Sequence, residues 1–219
     1  MTADIRSFIL AQTRIAAPSL VPELRLYLAT EVTPLWEATE ATLAEHNLPP
    51  PYWAFAWPGG QALARHLLDN PAMVRGRRVL DFAAGGGIAA IAAATAGADA
   101  TTSDIDRVAM TVTAMNAALN NVTVAAVDSD LTTVAPMDAA RDWDVVLAGD
   151  VFYERPMAAR VEPWLRGLAA AGVTVMVADP GRSYLPASGL EEIARYTVPT
   201  SRDLEDRETR ETRLYRVTA

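Results

Sequence analysis

The stretch that decides the fold is RVLDFAAGGGIAAIAAATAGADATTSDI, residues 78–105. Its first apolar run, Val79-Leu80-Asp81-Phe82, reads as a short buried parallel strand. Ala83-Ala84-Gly85-Gly86-Gly87 follows at once, and residues 88–96 are an alanine-rich helix ended by Gly97. Residues 99–103 make a second strand, which ends on Asp104. Glycines in such a turn let a ligand approach the backbone, and the helix N-terminus beyond them offers unpaired N–H groups. An acid about 20 residues past the turn, at the tip of the next strand, can accept hydrogen bonds from ribose hydroxyls. Strand, turn, helix, strand and acid together predict a nucleotide-binding βαβ unit.

A dinucleotide site wants G-x-G-x-x-G, whereas the register from Ala83 to Gly87 is A-x-G-x-G. Asp81-x-Ala83-x-Gly85-x-Gly87 instead resembles the acid-x-G-x-G-x-G turn of the class I, S-adenosylmethionine-dependent methyltransferases, with alanine in place of the first glycine. On the residues alone, a glycine turn that binds nothing and a nicotinamide-cofactor site remain open.

Composition narrows the classes. The 219 residues suffice for one α/β domain with its own core, and 51% of them are hydrophobic. A single domain over residues 1–219 is expected, with residues 1–60 as cap and loop and 61–219 as core. No apolar run reaches membrane-spanning length, and the amino end carries no basic segment followed by an apolar core. A cytoplasmic protein with no membrane partner, acting as a monomer, is the expectation. The absence of cysteine excludes disulfides, thiolate metal sites and cysteine nucleophiles. His46 and His66 are the two histidines, too few for a histidine-rich site, so no metal is expected. A net charge of −8 has the wrong sign for a protein dominated by phosphate contacts, so no nucleic-acid partner is expected. All 19 basic residues are arginine.

Residues 3–47 read as helices broken at Pro18 and Pro22, with residues 24–28 as a short amphipathic or extended piece and a further helix starting at Thr33-Pro34 and ending near His46-Asn47. This segment is expected to cap the nucleotide fold. Residues 48–60, LPPPYWAFAWPGG, hold too many prolines for a helix and gather Tyr52, Trp53, Phe55 and Trp57 in one loop. That loop is either a hydrophobic plug over the sheet edge or the mouth of the cofactor site, with Trp57 at it. Residues 61–68 predict a helix with His66 at the surface, and residues 107–119 another. Residues 122–127 predict the third strand, closing on Asp128 and Asp130; Asp130 is placed to meet an adenine amino group, and a solvated turn is the other reading. Residues 143–148 make the fourth strand, residues 156–170 a helix and residues 173–178 the fifth strand, with last strands at 193–197 and 212–217. Residues 202–207, Arg-Asp-Leu-Glu-Asp-Arg, read as a turn of solvated ion pairs.

In a doubly wound sheet, ligands sit outside the carboxyl ends of the strands where the strand order reverses. The tips of the first and fourth strands are adjacent there, which brings Asp150 and Tyr153 toward Gly85–Gly87. Methyl transfer needs a neutral amine aligned with the methyl carbon, an acceptor to orient it and aromatic faces to exclude water. A carboxylate beside the amine favours its charged form, while desolvation favours the neutral one.

Trp53-Ala-Phe-Ala-Trp57-Pro-Gly-Gly60, Val79-Leu-Asp81, Ala148-Gly-Asp150-Val-Phe-Tyr153-Glu154 and residues 172–182 together resemble the electron-transfer flavoprotein β-subunit lysine methyltransferases. That family belongs to the seven-strand protein-lysine methyltransferases marked by acid-x-x-aromatic after the fourth strand, a motif that Asp150-Val-Phe-Tyr153 fits. The resemblance runs from about residue 5 to the end. It implies a Rossmann-like seven-stranded fold with an N-terminal helical cap, S-adenosyl-L-methionine as donor and a lysine of the flavoprotein β subunit as acceptor. Asp150 and Tyr153 would face that lysine. The expected donor contacts are Trp57, Asp81, Gly85, Gly87, Asp104, Ile105, Asp130 and the Ala148 backbone. The eukaryotic members are mitochondrial, and the chain shows no arginine- and serine-rich leader, so a bacterial enzyme is expected. A small-molecule N-methyltransferase with a nicotinamide-like substrate is the alternative.

Overall fold

Strand β3 (Arg78–Phe82) is central because four of its five residues are buried, on both faces of a sheet. Leu80 and Phe82 enter one hydrophobic core and Val79 the other, as the two-residue period of a strand requires. A computed structural model describes residues 2–29 and 50–218 of the chain. β3 pairs in parallel with β4 (Asp99–Ser103) and with β6 (Val145–Gly149). β5 (Ala125–Val127) extends one side, and β7 (Thr174–Asp179) the other, again in parallel. β9 (Thr209–Val217) runs antiparallel to β7, and β8 (Leu190–Pro199) hairpins onto its outer edge. The order is β5-β4-β3-β6-β7-β9-β8, so the direction of winding reverses between β3 and β6.

Helices α2 (Pro58–Asp69) and α3 (Ile88–Thr95) cover one face: Ala62, Leu63, Leu67, Ala89 and Ala93 pack on Val79, Val145, Leu147 and Met176. The alanines of α3 let it lie close to the sheet. On the other face α6 (Arg155–Ala170) brings Trp164, Leu165 and Leu168 onto Leu80, Val146, Val175 and Val177, with α5 (Pro136–Ala139) beside it. Phe82 and Trp164 stack with ring centres 5.0 Å apart. α4 (Arg107–Leu119) follows β4, capped by Asp106, whose carboxylate accepts the Val108 N–H.

In the amino-terminal segment the extended reading of residues 24–28 holds, but the strand there pairs with a second strand that was not expected. α1 (Thr2–Gln12) is followed by an antiparallel hairpin, β1 (Thr13–Ala16) and β2 (Leu26–Ala29), with Pro18 and Pro22 in its connection. The reason lies 90 residues away. Asn120, which caps the C-terminus of α4, accepts the Arg25 N–H and donates to the Arg25 carbonyl, and Asn116 of α4 accepts the Tyr27 N–H. Two amide side chains thus satisfy backbone groups at the start of β2, while Leu24 and Leu26 are buried against α3. The helix expected over residues 33–47, with His46, lies outside the described residues.

Other details differ from expectation, among them the last two strands, which run longer than residues 193–197 and 212–217. α2 begins at Pro58 rather than at residue 61, because proline suits the first helical turn. β5 covers three residues instead of the six expected. His66 is half-buried, its Nδ1 2.8 Å from the Tyr196 hydroxyl of β8, instead of lying at the surface.

Candidate active site

The glycine turn is held from three sides. Asp104, at the tip of β4, accepts the Gly85 N–H on Oδ2 at 2.9 Å and the Asp106 N–H on Oδ1 at 2.9 Å. From α4, Thr113 Oγ1 donates to the Gly85 carbonyl at 3.0 Å, and Asn116 Nδ2 donates to the Gly86 carbonyl at 2.9 Å. Beneath, Asp81 of β3 accepts the Ala90 N–H on Oδ2 at 2.9 Å. Gly87 is the N-cap of α3 and has no side chain to cap with, so Asp81 does that work from the strand. Burial pushes the Asp81 carboxyl up to about 7. Gly87 has φ +77°, and a Cβ there would lie 2.5 Å from the Thr113 methyl, so no other residue fits. Ala83 adopts φ +53°, keeping the turn's path with an alanine in the left-handed region.

A second aspartate caps a second helix. α2 starts behind Trp57, which offers no cap. Asp150, just past the tip of β6, accepts the Gly59 N–H on Oδ2 at 2.6 Å. Its own N–H reaches the Ala178 carbonyl, and its φ is +56°. A Cβ on Gly59 would sit 2.4 Å from the Ala178 oxygen and 2.5 Å from Asp150 Oδ2, so glycine is required where α2 abuts the strand tips.

The other oxygen of Asp150 is engaged too. Arg182, in the loop after β7, donates to Oδ1 from Nε at 3.1 Å and from a terminal nitrogen at 2.7 Å. The same guanidinium pairs with Glu205 of the short helix α7 (Arg202–Glu205), and Glu205 also receives Arg210 Nε at 2.9 Å. Residues 202–207 are therefore not a wholly solvated turn: Glu205 is buried, because Arg182 and Arg210 offset its desolvation. Burial pushes the Asp150 carboxyl up to about 6 against the opposing pull of Arg182. Burial also works against the Arg182 charge, and the two carboxylates outweigh it, so Arg182 stays a cation. Asp179 accepts the Gly181 and Arg182 N–H groups on Oδ1, which shapes the loop carrying Arg182.

Between these two capped helices lies a cavity of about 490 Å³, within the range of small-molecule sites. Asp81, Gly85, Gly86, Asp104, Ile105 and Gly149 are among the residues that line it. Tyr52, Trp57 and Tyr153 form an aromatic wall. Tyr52 meets Tyr153 edge-on at 5.2 Å and Trp57 at 5.8 Å, and the Arg182 guanidinium lies 5.6 Å from the Trp57 ring. The Trp57 indole N–H donates to the Tyr52 carbonyl at 2.8 Å, which fixes the loop. Burial, then the neighbouring Tyr52, Glu154 and Asp104, raise the Tyr153 phenol above its ordinary range, so it stays protonated.

The fold thus brings Trp57, Asp81, Gly85, Asp104, Ile105, Asp130, Asp150 and Tyr153 to one cavity. Gly87 and Ala148 do not line it. Gly87 is buried against α4, and Ala148 is buried within the sheet, with its neighbour Gly149 facing the cavity instead. Asp130 uses Oδ1 to cap the turn of residues 131–133 through the Thr132 N–H and hydroxyl. Arg182 and Glu205 were not singled out from the sequence. The legible trace was an arginine two residues past a strand-ending Asp179-Pro180. The loop aromatic Tyr52 joins Tyr153 at the wall. Among the described residues, no group of three or more His, Asp or Glu is arranged to hold a metal ion.

The cavity suits an adenosyl donor by its own features. A half-buried carboxylate, Asp104, stands beside a turn whose glycines carry no side chain, and an aromatic wall faces the switch point where Asp150 sits. Solved structures with this fold include magnesium protoporphyrin IX methyltransferase from Synechocystis PCC 6803 with bound SAH (TM-score 0.52, 17% identity, covering 85% of this chain and 99% of that one). Ribosomal protein L11 methylase from Lactobacillus delbrueckii subsp. bulgaricus is another (TM-score 0.50, 21% identity, 75% of this chain and 81% of that one). Such identities establish the fold alone. Residues 62–150 match the family model of ribosomal protein L11 methyltransferase (PrmA). The electron transfer flavoprotein beta subunit lysine methyltransferase of Danio rerio is 38% identical over 205 residues, covering 90% of this chain and 77% of the relative. The Homo sapiens protein of the same name is 37% identical over 182 residues, covering 82% of this chain and 67% of the relative. With identity of that level along most of both chains, this chain belongs to the electron transfer flavoprotein beta subunit lysine methyltransferase family and is an S-adenosylmethionine-dependent protein-lysine methyltransferase.

Proposed function

We propose that the acceptor is a lysine of the electron transfer flavoprotein beta subunit. The observation that carries this reading is the identity of 36–38% to relatives that all bear that subunit in their names, over most of the chain. The donor supplies an electrophilic methyl group on a sulfonium. Asp104 and the bare turn at Gly85 and Gly86 receive its ribose end. Tyr52, Trp57 and Tyr153 exclude water from the reacting end and offer π faces to the methylated ammonium that the transfer forms. Asp150 retains acceptor capacity beyond the Gly59 and Arg182 bonds, since a carboxylate has about four lone-pair positions, and it orients the amine. The amine lone pair forms the new N–CH₃ bond as the C–S bond breaks with its electrons to sulfur, and the displaced N–H proton leaves to solvent. A net charge of −8 steers the enzyme toward a lysine-bearing, locally positive patch.

The test is mass spectrometry of the flavoprotein from cells with and without this enzyme. Methylated β-subunit lysines present only in the first support the assignment. Identical methylation in both overturns it, and transfer to a small amine in extract fractions would then favour a small-molecule acceptor.

A further inference from the structure

Asp150 poses an electrostatic problem for the chemistry assigned to it. The acceptor amine must be neutral to attack, yet a free lysine titrates near pH 10.4. Moving it into an aromatic-walled cavity favours the neutral form, but a bare carboxylate at hydrogen-bond distance would restore the ammonium. The surroundings of Asp150 bear on that balance.

Arg182 lies against Asp150 through Nε and Nη2, and Glu205 takes the adjoining edge of the same guanidinium through Nη1 and the shared Nη2. Arg210 in turn neutralises Glu205. The row Asp150, Arg182, Glu205, Arg210 alternates in sign and sums to zero. It is contributed by the tip of β6, the loop after β7, α7 and the start of β9, of which the last two are close in sequence, with Glu205 and Arg210 five residues apart. The other titratable groups facing this point are few. Asp179 lies behind Arg182 with Oδ1 bound to two backbone N–H groups and Oδ2 buried without a partner, and burial raises its carboxyl. Asp81 and Asp104, beyond the turn, are carboxyls raised by burial. Tyr52 and Tyr153 are phenols raised the same way. Glu154 lines the mouth as an exposed carboxylate.

We propose that Arg182 is a positioning residue that acts through Asp150: it offsets the carboxylate's charge, so that Asp150 orients the acceptor amine without holding it as an ammonium. Glu205 sets the strength of that offset by drawing on the same guanidinium, whose Nη2 it shares with Asp150. The inference rests on the lysine-methylating reading of the site, with Asp150 as acceptor. It adds a role for the β8–β9 hairpin, whose α7 carries Glu205.

The experiment is the pH dependence of kcat for the wild type, Arg182→Gln, Arg182→Lys and Glu205→Gln, with the flavoprotein β subunit as acceptor. Thermal unfolding and donor binding by calorimetry are measured on each. Arg182→Gln should lose about tenfold or more at pH 7 and move the ascending limb up by about one pH unit. Arg182→Lys, which keeps a cation, should leave the limb near the wild-type position. Glu205→Gln frees Arg182 from its second carboxylate and should move the limb the opposite way, downward. A substrate whose target lysine is replaced by the more acidic aminoethyl-cysteine should bring the Arg182→Gln limb back down, which assigns that limb to the amine rather than to Asp150 itself. Donor affinity should change less than threefold throughout. Equal loss at every pH, with all limbs in place, overturns the proposal and leaves Arg182 a structural ion pair. Displacements of Arg182→Gln and Glu205→Gln in the same direction overturn it as well. If the wild type methylates no lysine at any pH, the underlying assignment fails instead, and that outcome is visible before any variant is compared.

Discussion

Asp150 accepts the amide N–H of Gly59 at 2.6 Å, across 91 residues of chain, and that bond joins the N-terminus of α2 to the tip of β6. Asp81 does the same for α3 by accepting the Ala90 N–H. Both helices begin behind residues with no capping side chain, Trp57 and Gly87. A strand-tip carboxylate therefore replaces the missing cap in each case, and the two capped termini flank the cavity. A helix N-terminus favours a nearby negative charge, which stabilises both aspartates where burial alone would not. The acid proposed to orient the acceptor is thus also a fold determinant.

Removing Asp150 should consequently injure both stability and rate. Asp150→Ala leaves the Gly59 N–H without its acceptor and Arg182 without one partner, at a cost of about 3 kcal/mol in unfolding free energy. Asp150→Asn keeps an acceptor for Gly59 and should fold closer to wild type. Both variants should lose at least about 100-fold in kcat, because orienting the nucleophile is a large share of the barrier. Denaturant melts and single-turnover rates check the pair; near-wild-type turnover by Asp150→Asn would reduce the residue to a helix cap.

Asp104→Ala should lower donor affinity by about 100-fold, since it removes the carboxylate at the ribose end and releases the Gly85 N–H that shapes the turn. Isothermal titration with the donor and with its demethylated product measures this. Unchanged affinity for both would remove Asp104 from the binding site.

Ala83→Gly should stabilise the protein by about 0.5–1 kcal/mol. The left-handed conformation costs an alanine about 1–2 kcal/mol, and glycine's greater unfolded entropy returns part of the gain. Chemical denaturation at fixed pH decides it, and a loss of stability would mean that the Cβ contributes packing that outweighs the strain.

Stability should depend on pH through Asp81. Its carboxyl is raised by burial from 3.8 to about 7, so the folded state keeps a proton that the unfolded state has released. That contribution is fully present below about pH 4 and is lost as pH rises to about 7. Asp81→Asn cannot titrate and should match the wild type near pH 4.5 more closely than near pH 8, where it should be more stable by on the order of 2 kcal/mol. Parallel unfolding curves at the two pH values test it; a constant difference between the two proteins would contradict the assignment.

Salt should slow methylation of the flavoprotein, with the change mostly in KM. Attraction between a net −8 enzyme and a basic patch acts over about 8–10 Å at physiological ionic strength, so it assists encounter rather than the transfer step. Initial rates from 25 to 400 mM sodium chloride would show it. An effect confined to kcat would place the salt-sensitive contact inside the site.

The βαβ unit was legible in residues 78–105 because everything that forms it is local. An apolar strand, glycines where φ turns positive, an alanine helix and a strand-ending acid all specify their conformation within a few residues, and Asp104 stands where the spacing put it. The aromatic loop of residues 50–57 was legible as a loop for the same reason, since prolines exclude a helix. The parallel order of the central strands followed from their alternation with helices.

What the local signals could not carry was the choice of partners. The hairpin of β1 and β2 exists because Asn116 of α4 and Asn120 at its C-terminus satisfy backbone groups at the start of β2, and neither asparagine differs in sequence from a helix-end polar residue. Glu205 sits in a run of charges that reads as solvated, and only the approach of Arg182 and Arg210 makes its burial tolerable. Asp150 reads from its motif as a free acceptor, whereas the fold gives it a helix to cap and a guanidinium to balance. The class of fold, the glycine turn and the acids at the strand tips were readable in the chain, because backbone propensity and periodicity act at short range. Which charges meet was not, because the stability of a buried ion depends on neighbours that arrive from elsewhere in the chain.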